Sequence, residues 1–214
     1  MARLLAERAE YTRAEYLSDL AVHMAGLLAA SAGVPALIAL AALPGQETGQ
    51  TTGAAVYGLS LAAMIACSAA YNVFDHPGRA WLLKRLDHAA IHLKIAGTVT
   101  GLALIAGKGL APVSGVWAVA ALGIALKLHS PFRYRAAGLA LYLGLGGLAA
   151  LSAASLFPTL PPFSVTLICA GLLIYLVGFG FYLASALRFH YTIWHACVLA
   201  ASLMVYAGVL GAVL

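Results

Sequence analysis

The stretch FSVTLICAGLLIYLVGFGFYLAS, residues 163–185, runs for 23 residues without an aspartate, glutamate, lysine or arginine. A helix needs about 20 apolar residues to cross the hydrocarbon core of a bilayer, so this stretch predicts a transmembrane helix. The rest of the chain has the same character, because 63% of its 214 residues are apolar and only 9% are charged. A soluble domain carries about a quarter charged residues. The composition therefore excludes a water-soluble globule, a disordered chain and a nucleic-acid-binding protein.

Six further apolar runs, separated by turn residues, extend this prediction to an all-α membrane protein with seven transmembrane helices. The predicted helices cover residues 20–43, 53–74, 87–107, 112–129, 136–156, 163–185 and 192–214. Residues 1–19 mix acidic and basic side chains, so we expect them to form a short amphipathic helix at the membrane surface. Residues 20–214 are then a single transmembrane domain.

The basic residues are distributed very unevenly between the two sides of the predicted bundle. Ten of the 12 lysines and arginines lie in the N-terminal segment and in the second, fourth and sixth loops. Of the other two, Lys108 lies in the third loop and Lys94 lies within a helix. Since lysine and arginine accumulate in cytoplasmic loops, we expect the N-terminus and its amphipathic helix in the cytoplasm and the C-terminus outside. This orientation differs from that of a G-protein-coupled receptor, and the absence of a lysine after Lys127 argues against a retinal Schiff base.

Polar side chains interrupt three of the predicted helices at their cytoplasmic ends. They are Ser68, Asn72 and Asp75 on the second helix, Asp87, His88, His92 and Lys94 on the third, and Tyr191 and His195 on the seventh. An ionisable group within the bilayer costs about 2.5–3.5 kcal/mol on insertion scales, so it is expected to face the interior of the bundle. Because all three helix ends lie at the same depth, we expect these side chains to share one polar site.

Each cluster also has a purely structural explanation. Ser68 and Asn72 are of the types that commonly hydrogen-bond between membrane helices, and Asp87 suits a helix N-terminus. Lys94 lies about 10 Å deeper than Asp87, where it can pair with an acid or extend its ammonium group back to the headgroups. His195 has no acidic residue in its own helix, so it needs a partner from another helix.

These polar residues fall within short motifs that are spread along the chain. In order, the motifs are Asp19 with His23, Ser68-Ala69-Ala70-Tyr71, Leu86-Asp87-His88-Ala89-Ala90-Ile91 followed by Ile95-Ala96-Gly97-Thr98, Tyr175-x-x-Gly178-x-x-Phe181-Tyr182, and Ile193-Trp194-His195. Their order and spacing resemble those of the hemolysin III family, the bacterial branch of the progestin and adipoQ receptor family and a distant relative of the alkaline ceramidases. The resemblance implies a multi-pass protein of the bacterial cytoplasmic (inner) membrane.

The resemblance also implies a zinc site, which in the receptor relatives uses one histidine from the second helix and two, four residues apart, from the seventh. A serine and an aspartate, here Ser68 and Asp87, are proposed there to hold or activate the zinc-bound water. In this chain Asn72 and Tyr191 occupy two of the three histidine positions, and His195 alone remains as a metal ligand. Asparagine and tyrosine are poor zinc ligands, so the sequence argues against zinc as a cofactor. We expect instead a hydrogen-bonded polar core that contains these five residues.

Three functions are compatible with these residues. The first, favoured by the loss of two histidines, is a non-catalytic hemolysin III-type protein acting in membrane homeostasis, sensing or lipid binding. The second is a zinc-dependent lipid amide hydrolase of ceramidase type, with Asp87 and Ser68 as catalytic residues. The third is a pore-forming cytolysin, which the family name suggests and the apolar outer halves of the helices disfavour. Membrane lipids are the expected partners, and glycine-rich helix faces allow a homo-oligomer.

Overall fold

The computed structural model describes residues 12–73, 78–110, 113–129 and 135–214. These residues form seven α-helices and one 3₁₀ turn, Phe157–Thr159, and within them there is no β-strand. The helices are α1 Arg13–Ala41, α2 Thr48–Asn72, α3 Ala80–Ile105, α4 Ser114–His129, α5 Arg135–Ala154, α6 Pro162–Leu183 and α7 His190–Val213. Each of the seven predicted segments overlaps one of these helices, and the predicted all-helical bundle is confirmed.

Five of the helices, α1, α2, α3, α6 and α7, are long and apolar enough to cross a membrane. Helices α4 and α5 are apolar but shorter, with 16 residues in Ser114–His129 and a shorter apolar part, Gly138–Ala154, in α5. The chain is therefore a helical membrane protein. That all seven helices cross the bilayer remains a prediction for α4 and α5.

Helix α1 continues without a break from Arg13 to Ala41, so residues 13–19 form its first two turns. Thr12 caps this helix with a reciprocal pair of hydrogen bonds. The Glu15 backbone N–H donates to the Thr12 hydroxyl oxygen at 3.3 Å, and the Thr12 backbone N–H donates to the Glu15 carboxylate at 2.9 Å. The remainder of the amphipathic helix predicted over residues 1–19 lies outside the described residues.

The helices pack as two tight antiparallel pairs, α2 with α3 and α6 with α7. Helix α1 joins the pairs by packing against both α2 and α7, while α4 and α5 cover α3. Fully buried side chains such as Tyr57, Leu102 and Val205 fill the space between these helices. This arrangement makes the first and last helices neighbours, so polar residues on both can meet.

Glycine allows the backbones of α2 and α3 to touch. A Cβ atom added at Gly53 would lie 2.6 Å from the carbonyl oxygen of Gly101, and one added at Gly101 would lie 2.8 Å from the carbonyl oxygen of Gly53. Both distances are too short for a real Cβ, and the obstructing atoms belong to backbone that cannot rotate away. Small residues at such interfaces let membrane helices gain dispersion energy by close approach.

We predict that Gly101→Ala lowers the stability of the protein in detergent by about 1–3 kcal/mol, because the added methyl group forces α2 and α3 apart. The matched control is Gly146→Ala on α5, where an added Cβ meets no atom within 4 Å. The control should be neutral or stabilising by up to about 1 kcal/mol, since alanine is the better helix former. Denaturant titration of the purified variants measures both changes, and equal effects would contradict the predicted contact.

Candidate metal centre

The shortest polar contact between the first and last helices joins Asp19 on α1 to His195 on α7. The Nδ1–H of His195 donates to Asp19 Oδ1 at 2.6 Å, and the two side chains are only 12–13% exposed. A carboxylate and an imidazole enclosed in this way strengthen each other, because water does not compete for the hydrogen bond. His195 thus finds its acidic partner on another helix, as its sequence context predicted.

His23 lies one turn after Asp19 and joins the same contact. Its Nδ1–H donates to the Asp19 backbone carbonyl at 2.8 Å and lies 3.7 Å from the carboxylate oxygen Oδ2. The rings of His23 and His195 meet edge to face, with centroids 4.6 Å apart. One possible ligand atom from each of Asp19, His23 and His195 lies within 4.8 Å of the other two. These three residues are called the cluster below.

Ser68 and Asn72, near the end of α2, extend the cluster. Because the Nδ1 proton of His23 is used on a carbonyl, its Nε2 is an acceptor, and the Ser68 hydroxyl donates to it at 3.3 Å. The Asn72 side-chain amide donates to the Ser68 carbonyl at 3.0 Å and to the Ser68 hydroxyl oxygen at 3.3 Å. The serine hydroxyl therefore lies in a directed chain of hydrogen bonds that runs from Asn72 to His23.

The donor set of the cluster fits a zinc ion. Imidazole nitrogens and carboxylate oxygens are usual zinc ligands, and three such ligands leave a fourth position for water. His195 Nδ1 donates to Asp19 Oδ1, and His23 Nε2 accepts from Ser68, so an ion held by all three residues would take the place of these two hydrogen bonds.

The other predicted site residues have different surroundings. The Asp87 carboxylate lies 3.7 Å from His88 Nδ1, and it also interacts electrostatically with His23. His88 donates from Nδ1 to the carbonyl of its own helix at Lys84. The Tyr191 ring lies 6.4 Å from the His195 ring. Asp75 falls outside the described residues.

Lys94 makes a separate polar contact deeper in the bundle. Its ammonium group donates to the Tyr175 hydroxyl at 2.7 Å, and Tyr175 in turn lies 2.6 Å from the Ser202 hydroxyl oxygen. Lys94 is 5% exposed, and within the described residues no carboxylate lies within ion-pair distance of it. The two expected arrangements for Lys94, an acidic partner or extension to the headgroups, are thus replaced by a tyrosine hydroxyl.

Sequence reasoning did not place Asp19 and His23 in the site, although both residues belong to one of the quoted motifs. Their signal is an acid and a histidine spaced i, i+4 in an apolar helix, a spacing that puts both side chains on one face. The sequence gives no indication that this face meets the start of the last helix. That information comes from the packing of α1 against α7.

Comparison with known proteins gives consistent matches over most of the chain. Residues 15–206, which include the cluster, match the family model described as Haemolysin-III related. The chain is 34% identical over 158 residues to Hemolysin-3 of Bacillus cereus, with 72% of each chain covered. It is 28% identical over 203 residues to the Hemolysin-3 homolog of Bacillus subtilis (strain 168), covering 94% of this chain and 95% of the relative.

We predict an energetic coupling of about 1–3 kcal/mol between Asp19 and His195, because their hydrogen bond is charge-assisted and largely enclosed. The measurement is a double-mutant cycle of Asp19→Ala and His195→Ala, followed by unfolding of the metal-free protein in detergent. The exposed pair Glu47→Ala and His129→Ala, from separate helices, provides an additive control. Additive effects of the Asp19 and His195 substitutions would show that the two side chains do not interact.

Proposed function

The chain belongs to the Haemolysin-III-related family of membrane proteins, and on that basis we propose that it is a metal-dependent hydrolase of membrane lipids. The observation that carries this proposal is the contact of one carboxylate, Asp19, with the Nδ1 atoms of two histidines beside a hydrogen-bonded serine. Two imidazoles and a carboxylate are a recurrent ligand set for a catalytic metal. A buried acid is otherwise expensive in a membrane helix and indicates a functional role.

The residues of the cluster have complementary roles in this proposal. Asp19, His23 and His195 would hold a zinc ion, which when bound lowers the pKa of a water molecule and polarises a carbonyl group. Ser68 lies beside His23 Nε2, where its hydroxyl group can donate a hydrogen bond to the substrate or to the attacking water.

Asp87 supplies a carboxylate near the cluster that is not one of its three members. It interacts electrostatically with His23, and its carboxylate lies 3.7 Å from His88 Nδ1. A carboxylate in such a position can accept a proton from the attacking water and return it to the leaving group. In this assignment Asp87 and Ser68 keep the catalytic roles expected from the sequence, while Asp19 and His23 replace the missing histidine ligands.

The position of the cluster favours a lipid substrate. Asp19 and His23 lie in the first turns of α1, Ser68 lies in the last turns of α2, and His195 lies in the second turn of α7. All of them are therefore near one end of an apolar bundle, at the depth of ester or amide linkages in a lipid. The resemblance to alkaline ceramidases suggests an amide linkage. The uneven distribution of lysine and arginine supports an N-terminus inside, with the site in the inner leaflet of the bacterial cytoplasmic membrane.

A second candidate is a non-catalytic role in sensing, membrane homeostasis or lipid binding. It is favoured by Asn72 and Tyr191, which stand where the receptor relatives have histidine ligands. Asn72 is already hydrogen-bonded to Ser68, so its amide stabilises the end of α2 without any metal. In this alternative, Asp19, His23 and His195 form a hydrogen-bonded polar core that fixes α1 against α7.

We predict that the purified protein binds about one zinc ion per chain, and that His195→Ala and Asp19→Ala both abolish this binding because each removes a required group. Elemental analysis after removal of loosely bound metal gives the stoichiometry. His129→Ala, at the exposed end of α4, is the matched control and should retain the metal. Wild-type protein that binds no zinc, or a His195→Ala variant that retains it, would contradict the proposed metal site.

The catalytic part of the proposal is tested with detergent-solubilised protein and a long-chain ceramide, measuring the fatty acid released. We predict that Ser68→Ala lowers the rate by about 10²-fold or more, in the range typical of lost general acid–base or transition-state hydrogen bonds. Ser31→Ala is the control, since this exposed serine donates only to a carbonyl of its own helix. Stoichiometric zinc without hydrolysis of ceramide or of other lipid amides and esters would favour the non-catalytic alternative.

A further inference from the structure

The starts of α1 and α7 are joined by a contact that lies outside the cluster. The Phe189 N–H donates to Glu15 Oε1 at 3.2 Å, while the Thr12 N–H and hydroxyl donate to Glu15 Oε2 at 2.9 and 2.6 Å. Both oxygens of one carboxylate therefore accept hydrogen bonds, one from the cap residue of α1 and one from the residue that precedes α7. Arg188 adds a favourable electrostatic interaction with the same carboxylate.

Phe189, the residue that precedes α7, has a strained backbone. Its φ of 62° and ψ of 13° place it in the left-handed region, and it is the one non-glycine residue with a positive φ in the described ranges. A bulky aromatic residue stays in this region only when its surroundings hold it there. Helix α7 has no side-chain cap of its own, and Glu15 accepts from the amide of its cap residue. A residue of α1 thus does for α7 what an acid in the first turn does in a capping box.

A second tie lies between this contact and the cluster. The hydroxyl oxygens of Ser18 and Thr192 are 3.3 Å apart, and the Thr192 hydroxyl lies 3.5 Å from the Glu15 carbonyl oxygen. The contact between Asp19 and His195 follows one residue later on α1 and three residues later on α7. The three contacts therefore occupy successive positions along one seam, so the conformation at the start of α7 sets the position of His195.

We propose that Glu15 is a positioning residue for the cluster. Its carboxylate holds Phe189 in the left-handed conformation and thereby fixes the first turns of α7, which place His195 Nδ1 against Asp19. When this contact is lost, Phe189 relaxes to an unstrained conformation, and the start of α7 loosens from α1. Only the metal-binding role of the cluster rests on the proposed function. The positioning of His195 by Glu15 requires no metal.

The experiment compares Glu15→Ala with Glu15→Gln by hydrogen exchange of the metal-free protein in detergent. The amides of residues 193–196 report on the start of α7, since the first of them donates to the Phe189 carbonyl at 2.9 Å. Glu15→Ala should speed their exchange by about tenfold or more, because a charge-assisted hydrogen bond is lost. Glutamine offers one uncharged acceptor oxygen where the carboxylate offers two, so Glu15→Gln should exchange faster than wild type but more slowly than Glu15→Ala. Residues 201–209, deep in α7, should be unchanged in both variants.

A second substitution separates positioning from general destabilisation. Asparagine tolerates the left-handed conformation far better than phenylalanine, so Phe189→Asn reduces the need for the Glu15 carboxylate. We expect the double variant Glu15→Ala, Phe189→Asn to recover slow exchange at residues 193–196, to within about threefold of Phe189→Asn alone. Glu47→Ala, which removes an acid from the start of α2, is the control and should leave these amides unchanged.

Zinc titration of the same variants measures the consequence for the cluster. The apparent dissociation constant should rise about tenfold in Glu15→Ala, rise by less in Glu15→Gln, and recover in the double variant. Unchanged exchange at residues 193–196 in Glu15→Ala, or no recovery in the double variant, would overturn the positioning role. The expected exchange pattern in a protein that binds no zinc would support that role and count against the proposed function alone.

Discussion

The hydrogen bond between Asp19 and His195 is the constraint on which the arrangement of this bundle depends. Hydrocarbon offers no partner to a carboxylate or an imidazole, so each must be satisfied by another protein group. Asp19 lies on the first helix and His195 on the last, and the requirement therefore makes α1 and α7 neighbours. With α1 also packed on α2, the last turns of α2 bring Ser68 to the open nitrogen of His23. An apolar residue at position 19 would remove the hydrogen bond that joins α1 to α7.

Small residues then decide how closely the other helices can approach. Without a difference in hydrophobicity between lipid and protein, membrane helices gain stability from dense packing. The α2–α3 pair relies on Gly53 and Gly101, and the α6–α7 pair has an equivalent contact at Gly171, where an added Cβ would lie 2.9 Å from the carbonyl oxygen of Ala201. Helix α1 packs against both pairs, and the hydrogen bonds of Lys94, Tyr175 and Ser202 join the pairs a second time. The site lies where α1 meets both pairs.

The sequence predicts the helices well and the site only in part. Long uncharged runs such as residues 163–185 can adopt only one kind of structure in a bilayer, so the number and approximate positions of the helices follow from composition. Their limits follow less well, since α1 and α3 each begin seven residues earlier than predicted. The convergence of Ser68, Asn72 and His195 at one end also follows, because their depth is set by helix length. The acid that pairs with His195 does not follow, since Asp19 and Asp87 lie at similar depths and the choice depends on which helices are adjacent. The position of a residue along a membrane helix gives its depth, and periodicity gives its face. Neither shows which helix lies next to it.

Two of the buried polar groups among the described residues, the cluster and the contact of Lys94, differ in electrostatic character. The cluster combines one carboxylate with two imidazoles, a set of groups that attracts a divalent ion. His195 and Ser202 are seven residues apart on α7, so the ammonium group of Lys94, linked to Ser202 through Tyr175, lies about 10 Å deeper. A positive charge on Lys94 would repel a cation that moved inward past the cluster. An ion attracted to Asp19 would therefore meet an electrostatic barrier to moving further inward. This geometry favours a binding site at one membrane face over a path for cations across the bundle.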